Sequence, residues 1–241
     1  MAQSFTVAFD IGNTLIDVDG IQDRALQSTT DALVERHLIG SRSDFLDAYA
    51  SVEKSISGPA VNHLFSKPME IMKRTLDSIE LSGRSSLYFA LSVYRDTVLR
   101  AIEPKSDLTQ MLKDMRAKHR LAIVSDGSID DQILTLYRMG IIELFDPIVI
   151  SEEVGVLKPD PRIFERLLFE TGMSASDVVM VGNDPYRDIA GAKRVGMKTV
   201  WVRTGRRLNS AEIDLPGDGS IDFDQLHLLG PVIDRILGEE S

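Results

Sequence analysis

The chain contains no cysteine, which excludes a disulfide framework, a thiolate metal site and a thiol nucleophile. Its four histidines, His37, His63, His119 and His227, are well separated in sequence and do not suggest a zinc centre. Positive charge is in short supply: 27 basic residues face 37 acidic ones, a formal net charge of -10. Such a balance repels a phosphodiester backbone and argues against a nucleic-acid partner, while leaving room for a local basic pocket that binds a small anion. No apolar run approaches the ~18 residues needed to cross a bilayer, so no membrane partner is expected. The first residues carry neither a basic start, an apolar stretch nor a cleavage site, and a cytoplasmic location is expected.

What remains is an ordinary globular composition, 43% hydrophobic and 27% charged, in 241 residues. That length can bury a real core as one large domain or two small ones. An apolar run from Phe5 to Phe9 reads as a buried strand that stops at Asp10. Four further continuous runs, Leu121–Val124, Ile148–Ile150, Val178–Val181 and Thr199–Val202, read as strands covered on both faces. Helical patterns separate them: Leu108, Met111, Leu112 and Met115 before the second strand, Ile163, Leu167 and Leu168 before the fourth. The alternation predicts an α/β fold with a doubly wound, Rossmann-like parallel sheet.

One interval breaks the rhythm. A βαβ unit takes roughly 30 residues, yet more than a hundred separate Asp10 from Leu121. The excess is helical, with Met69, Met72, Leu76 and Ile79 on one face and Leu87, Leu91, Tyr94, Val98 and Ala101 on another. Pro68 and Gly83 punctuate these helices. Residues 18–102 are therefore read as an all-helical cap inserted into a core made of 1–17 and 103–241. Extra helices packed flat on the core would give the same pattern; the position of both ends beside the proposed site favours a cap. Residues 203–219 read as a loop and Phe223–Leu237 as a closing helix.

Four segments at strand ends could do chemistry. Asp10 ends the first strand, where open α/β sheets place their ligands. Ser125-Asp126-Gly127 ends the second and offers a hydroxyl and backbone N–H groups for phosphate oxygens. Lys158 follows the third, just ahead of Asp160, which can cap a helix beginning at Pro161. Gly182-Asn-Asp-Pro-Tyr-Arg-Asp188 ends the fourth and offers oxygen ligands to a hard cation. Each is weak alone; their joint occurrence in this order is not.

This order, and above all Gly155-Val-Leu-Lys-Pro-Asp-Pro-Arg-Ile-Phe164 and Val181-Gly-Asn-Asp-Pro-Tyr-Arg-Asp-Ile-Ala-Gly-Ala192, resembles the haloacid dehalogenase superfamily over nearly the whole chain. Its members are mostly phosphatases, and the helical insertion matches the family's cap after the first motif. The resemblance implies Asp10 as nucleophile, Lys158 as the ammonium steadying nucleophile and phosphoryl group, and Ser125 as a phosphate-binding hydroxyl beside Asp126 and Gly127. It implies Mg²⁺ held by Asp10, the carbonyl of Gly12, Asn183 and Asp188. The expected activity is Mg²⁺-dependent hydrolysis of a small phosphorylated metabolite through an aspartyl-phosphate.

Two departures qualify it. Gly12 stands where the family usually has a second Asp, the acid and base for leaving group and water, work typically worth 10²–10⁴-fold. Activity should then favour aryl or acyl phosphates, whose leaving groups need no proton. Asn183 stands where the metal motif usually has Asp, with Asp184 next door as a substitute or a solvated turn residue. Asp17 reads as shaping the start of the cap. The other readings are a phosphonatase using Lys54, a 2-haloacid dehalogenase, and a degenerate relative that binds without turnover. The Arg206-Arg207 pair reads as an anion contact or a solvated loop.

Overall fold

The computed structural model describes residues 5–56, 68–204 and 217–238; His63, Arg206 and Arg207 lie outside them. The chain forms two compact units, Met1–Ile16 with Glu103–Ser241, and Asp17–Ile102. No helix among the described residues is long and apolar enough to cross a membrane.

The first unit is built on a six-stranded, wholly parallel sheet. Its strands are β1 (Thr6–Phe9), β2 (Arg120–Ser125), β3 (Ile148–Ile150), β4 (Val178–Gly182), β5 (Lys198–Arg203) and β6 (Gly219–Asp222), in the order β3-β2-β1-β4-β5-β6. Strand order therefore reverses at β1 and β4, where a doubly wound sheet opens a crevice at its carboxyl edge. The register sets the site: Phe9 pairs with Ile123 of β2 and with Val181 of β4, so Asp10 emerges level with the ends of both neighbours. Every residue of β1 and β4 is buried, as their unbroken apolar runs require.

Helices α5 (Ser106–Lys118), α6 (Ile129–Arg138), α7 (Ser151–Val154), α8 (Pro161–Thr171), α9 (Gly191–Arg194) and α10 (Leu229–Leu237) accompany the sheet. Leu108, Met111, Leu112 and Met115 are the buried face of α5, and Ile163, Phe164 and Leu167 that of α8. Asp160 caps α8 by accepting from the Arg162 N–H, with Pro161 at its first position. Of the loop expected over 203–219, residues 205–216 lie outside the described residues. At its end the chain adds a sixth strand, β6, which pairs with β5 and buries a single apolar residue, Ile221. One expectation fails at the carboxyl end. Phe223–Leu237 is not one helix: a 3-10 stretch, Phe223–Leu228, precedes α10, whose first turn holds Gly230 and Pro231. Proline lacks an N–H and is tolerated in a first turn, so the Gly-Pro pair marks a restart.

The second unit packs α1 (Val18–Glu35), α2 (Arg42–Ile56), α3 (Pro68–Ser78) and α4 (Arg84–Ala101) around Leu33, Phe45, Ile71, Met72, Leu76, Leu91, Tyr94 and Val98. Asp17 caps α1, accepting from the Gly20 N–H at 2.9 Å. The stripe on α3 is displaced from expectation: Met69 is exposed, and the buried face runs through Pro68, Ile71, Met72, Thr75 and Leu76. Lys54 lies exposed in the last turn of α2.

Candidate active site

The turn after β1 is closed by one carbonyl: the N–H groups of Thr14, Leu15 and Ile16 all point to Ile11 O. Asn13 takes the left-handed conformation at φ 56°, which Asn tolerates better than most residues. The turn thereby returns Thr14 to Asp10, and the fully buried Thr14 hydroxyl donates to Asp10 Oδ2 at 3.2 Å and Asn183 Oδ1 at 3.4 Å. Thr14 was not singled out from the sequence; its position four residues past the carboxylate in a tight turn was the available signal.

Lys158 is the centre of the arrangement. Its Nζ donates to Asp10 Oδ1 at 2.7 Å, Asp188 Oδ1 at 2.7 Å and Val124 O at 3.2 Å. Burial alone would drive this ammonium towards neutrality, but the charges of Asp10, Asp188 and Asp126 outweigh it and hold its pKa above the ordinary value. Asp188, wholly buried, is pushed up to about 6 by that burial and by nearby Asp10, against the pull of Lys158. Ser125 adds a hydroxyl donor to Asp10 Oδ1 at 3.2 Å.

The loops around this core are tied by side chains. Asp126 does not offer its carboxylate outward: Oδ1 accepts the Lys158 backbone N–H at 2.9 Å and Oδ2 faces Arg187 at 3.4 Å. Gly127, at φ 139°, already donates its N–H to Ser151 Oγ at 2.9 Å, so this expected phosphate donor is engaged. Gln132 holds the Asp126 carbonyl at 3.2 Å. After β4 the chain makes a π-helical turn, Pro185–Ala190, capped by Asp184, which accepts from the N–H groups of Tyr186 and Arg187. Both Asp184 oxygens are thus engaged, Oδ2 by Arg187 Nε at 2.8 Å; partial burial pushes its pKa up, but the Arg187 bonds outweigh it and hold it below the usual carboxylate range. The Asp184 N–H in turn donates to Asp188 Oδ2 at 2.9 Å. A Cβ on Gly182 would overlap the Asp188 side chain, so that position must be glycine.

The sequence-expected residues Asp10, Ser125, Lys158, Asn183 and Asp188 are therefore linked, directly or through Thr14, by hydrogen bonds. Among the described residues no three His, Cys, Asp or Glu side chains are arranged to hold a metal ion. Two carboxylates do converge on one ammonium, and a carboxylate and an amide oxygen converge on one hydroxyl. With the nearby Gly12 carbonyl, this all-oxygen set fits a hard divalent cation that keeps part of its water. Lys54 and His37 belong to the helical unit, and His119 and His227 line a separate cavity of about 250 Å³ beside α5 and α10.

The chain matches the family model for haloacid dehalogenase-like hydrolases over residues 7–202. It is 31% identical over 211 residues to the glyceraldehyde 3-phosphate phosphatase of Methanothermobacter thermautotrophicus, covering 86% of this chain and 88% of the relative. The protein of the same name from Pyrococcus furiosus is 28% identical over 237 residues, covering 98% and 95%. Among solved structures, the magnesium-bound HAD-hydrolase YfnB of Bacillus subtilis superposes with a TM-score of 0.65 at 18% identity, covering 98% of this chain and 99% of the other. Matched over most of its length in sequence, this chain belongs to the haloacid dehalogenase-like hydrolases.

Proposed function

We propose that the protein hydrolyses the phosphoric monoester of a small phosphorylated metabolite in a Mg²⁺-dependent reaction that passes through an aspartyl-phosphate on Asp10. The observation that carries this reading is the buried ammonium of Lys158, 2.7 Å from both Asp10 and Asp188. A carboxylate attacks a phosphate dianion poorly because like charges repel. Lys158 offsets that repulsion and stabilises charge on the transferring oxygens in a site shielded from water. The Ser125 hydroxyl and the Asp126 N–H are the donors assigned to the phosphoryl oxygens. Asp10, the Gly12 carbonyl, Asn183 and Asp188 would hold Mg²⁺, which supplies charge neutralisation and in-line orientation of the phosphoryl group.

In the first step an Asp10 oxygen bonds to phosphorus and the ester P–O bond breaks. In the second, water opens the acyl phosphate and returns the carboxylate. No side chain at position 12 can move a proton in either step, so the leaving oxygen departs as the anion and is protonated by solvent after release. Triose phosphates, the substrates in the names of relatives near 30% identity, are the first metabolites to try.

The test is phosphate release from p-nitrophenyl phosphate, acetyl phosphate and glyceraldehyde 3-phosphate. Wild type should turn over, Asp10→Asn should not, and chelation should abolish activity that Mg²⁺ restores. Equal release by wild type and Asp10→Asn sinks the reading. Gly12 is not among the positive-φ glycines, so no left-handed backbone conformation demands glycine there. Gly12→Asp should raise turnover of the sugar phosphate by at least about 10²-fold while aryl phosphate changes little. An equal change for both overturns the leaving-group account.

A further inference from the structure

Strands β2 and β4 lie on opposite sides of β1, so no backbone ladder joins them; at about 4.8 Å per strand spacing their ends stand roughly 10 Å apart. The groups the proposed reaction needs are split across this gap. Lys158 is fastened on the β2 side, through its backbone N–H to Asp126, and Asp188 on the β4 side, through the Asp184 N–H. Between them lies Arg187, three-quarters buried, with Nε on Asp184 Oδ2 at 2.8 Å and Nη1 towards Asp126 Oδ2 at 3.4 Å. The guanidinium thus reaches across the end of the strand that carries Asp10.

Charge makes the same point. The cluster holds four carboxylates, Asp10, Asp126, Asp184 and Asp188, against two cations, Lys158 and Arg187. Without Arg187, Asp126 and Asp184 lose the cation they share, and the loops bearing Lys158 and Asp188 lose the side-chain bridge that supplements the Lys158–Asp188 ion pair. A planar, permanently charged fork suits two carboxylates on different loops; a lysine is a single point charge that can satisfy one well.

We propose that Arg187 is a positioning residue: by bridging Asp126 to Asp184 it sets the separation of Lys158 from Asp188 across the end of β1. The inference rests on the phosphatase reading for its kinetic consequence but not for its structural one. Arg187 acts through these carboxylates and not on the substrate. Its loss should therefore weaken interactions made in the transition state while leaving ground-state binding in place.

The experiment compares wild type, Arg187→Met and Arg187→Lys with p-nitrophenyl phosphate and Mg²⁺, and adds a thermal-melting double-mutant cycle of Arg187→Met with Asp126→Asn on metal-free protein. A misplacement near 1 Å can cost on the order of 10²-fold. Arg187→Met should lower kcat by about 10–10²-fold with KM within about threefold, and Arg187→Lys should recover part of the loss. The double variant should melt higher than additivity of the two single shifts, because both remove the same bridge. Three results overturn the proposal: KM rising with kcat unchanged, which makes Arg187 a substrate ligand; a lysine variant no better than methionine; or additive melting shifts. If Arg187→Met does not fold, the same cycle is run with Arg187→Lys. Absence of any Asp10-dependent turnover in wild type would remove the phosphatase reading instead, and the melting cycle would still decide whether the bridge exists.

Discussion

Both units bury hydroxyls, but among the described residues only the sheet unit buries charged side chains. In the sheet unit Asp10, Asp126, Lys158 and Asp188 are all buried, on the segments that follow β1, β2, β3 and β4. Among the described residues of the helical unit the buried polar side chains are hydroxyls: Thr29, Thr30 and Thr75, each donating to the carbonyl four residues earlier at 2.7–2.8 Å, and the phenols of Tyr49 and Tyr94. Burial raises the pKa of both phenols, that of Tyr94 to about 12, so neither carries charge near neutrality. Taking a charge out of water costs several kcal/mol even when it is paired, whereas a threonine bonded within its own helix costs almost nothing. A core built for stability alone would resemble the helical unit. Buried charge gathered at one strand edge marks the part of the chain shaped by chemistry.

The strongest way to break this comparison is to remove the shared cation. Lys158→Met leaves Asp10 and Asp188 buried without their ammonium, and breaking such a pair costs about 3–5 kcal/mol. The urea midpoint of the metal-free variant should fall accordingly, and Asp10-dependent turnover should disappear. A variant as stable as wild type would mean that the charges are better solvated than their burial implies, and the contrast between the units would weaken.

The sequence makes much of this edge legible because several of its residues directly follow an apolar run: Asp10 after Phe9, Ser125 after Val124, Asn183 after Gly182. Lys158 is located by its neighbours, since Asp160 and Pro161 announce a helix start that the structure shows. What spacing does not reveal is the partner of a side chain on another loop. The Asp126 carboxylate serves the backbone of a residue 32 positions on. Gly127 looked available, yet its N–H is spent on Ser151. Thr14 and Arg187 passed unnoticed because their importance exists only once strands β1, β2 and β4 stand side by side. β6 was missed for a simpler reason: Gly-Ser-Ile-Asp holds too little apolar surface to register as a strand, and its pairing comes from β5.

A gentler test asks whether the sheet unit's neutral groups share the fate of its charged ones. Thr14→Val keeps shape and removes the hydroxyl that joins Asp10 to Asn183. A hydrogen bond to a charged group is worth about 1.5–3 kcal/mol. If only the lower part of that figure orients the carboxylate for attack, turnover should fall about tenfold. Steady-state rates at saturating substrate would show it, and an unchanged rate would reduce Thr14 to a spectator of the turn.

The smallest expected effect comes from the same substitution in the other unit. Thr75 is as fully buried as Thr14, but its hydroxyl donates to Ile71 O, a carbonyl positioned to receive the Thr75 backbone N–H within the helix. Thr75→Val therefore strands no acceptor and adds a methyl group to an apolar face, so the change in unfolding free energy should stay within about 1 kcal/mol of either sign. Paired denaturation curves for the two valine variants, set beside their rates, place equal volumes of side chain in two different roles. Should Thr75→Val cost as much as Thr14→Val in both stability and turnover, the division between a neutral scaffold and a charged working edge would have no basis.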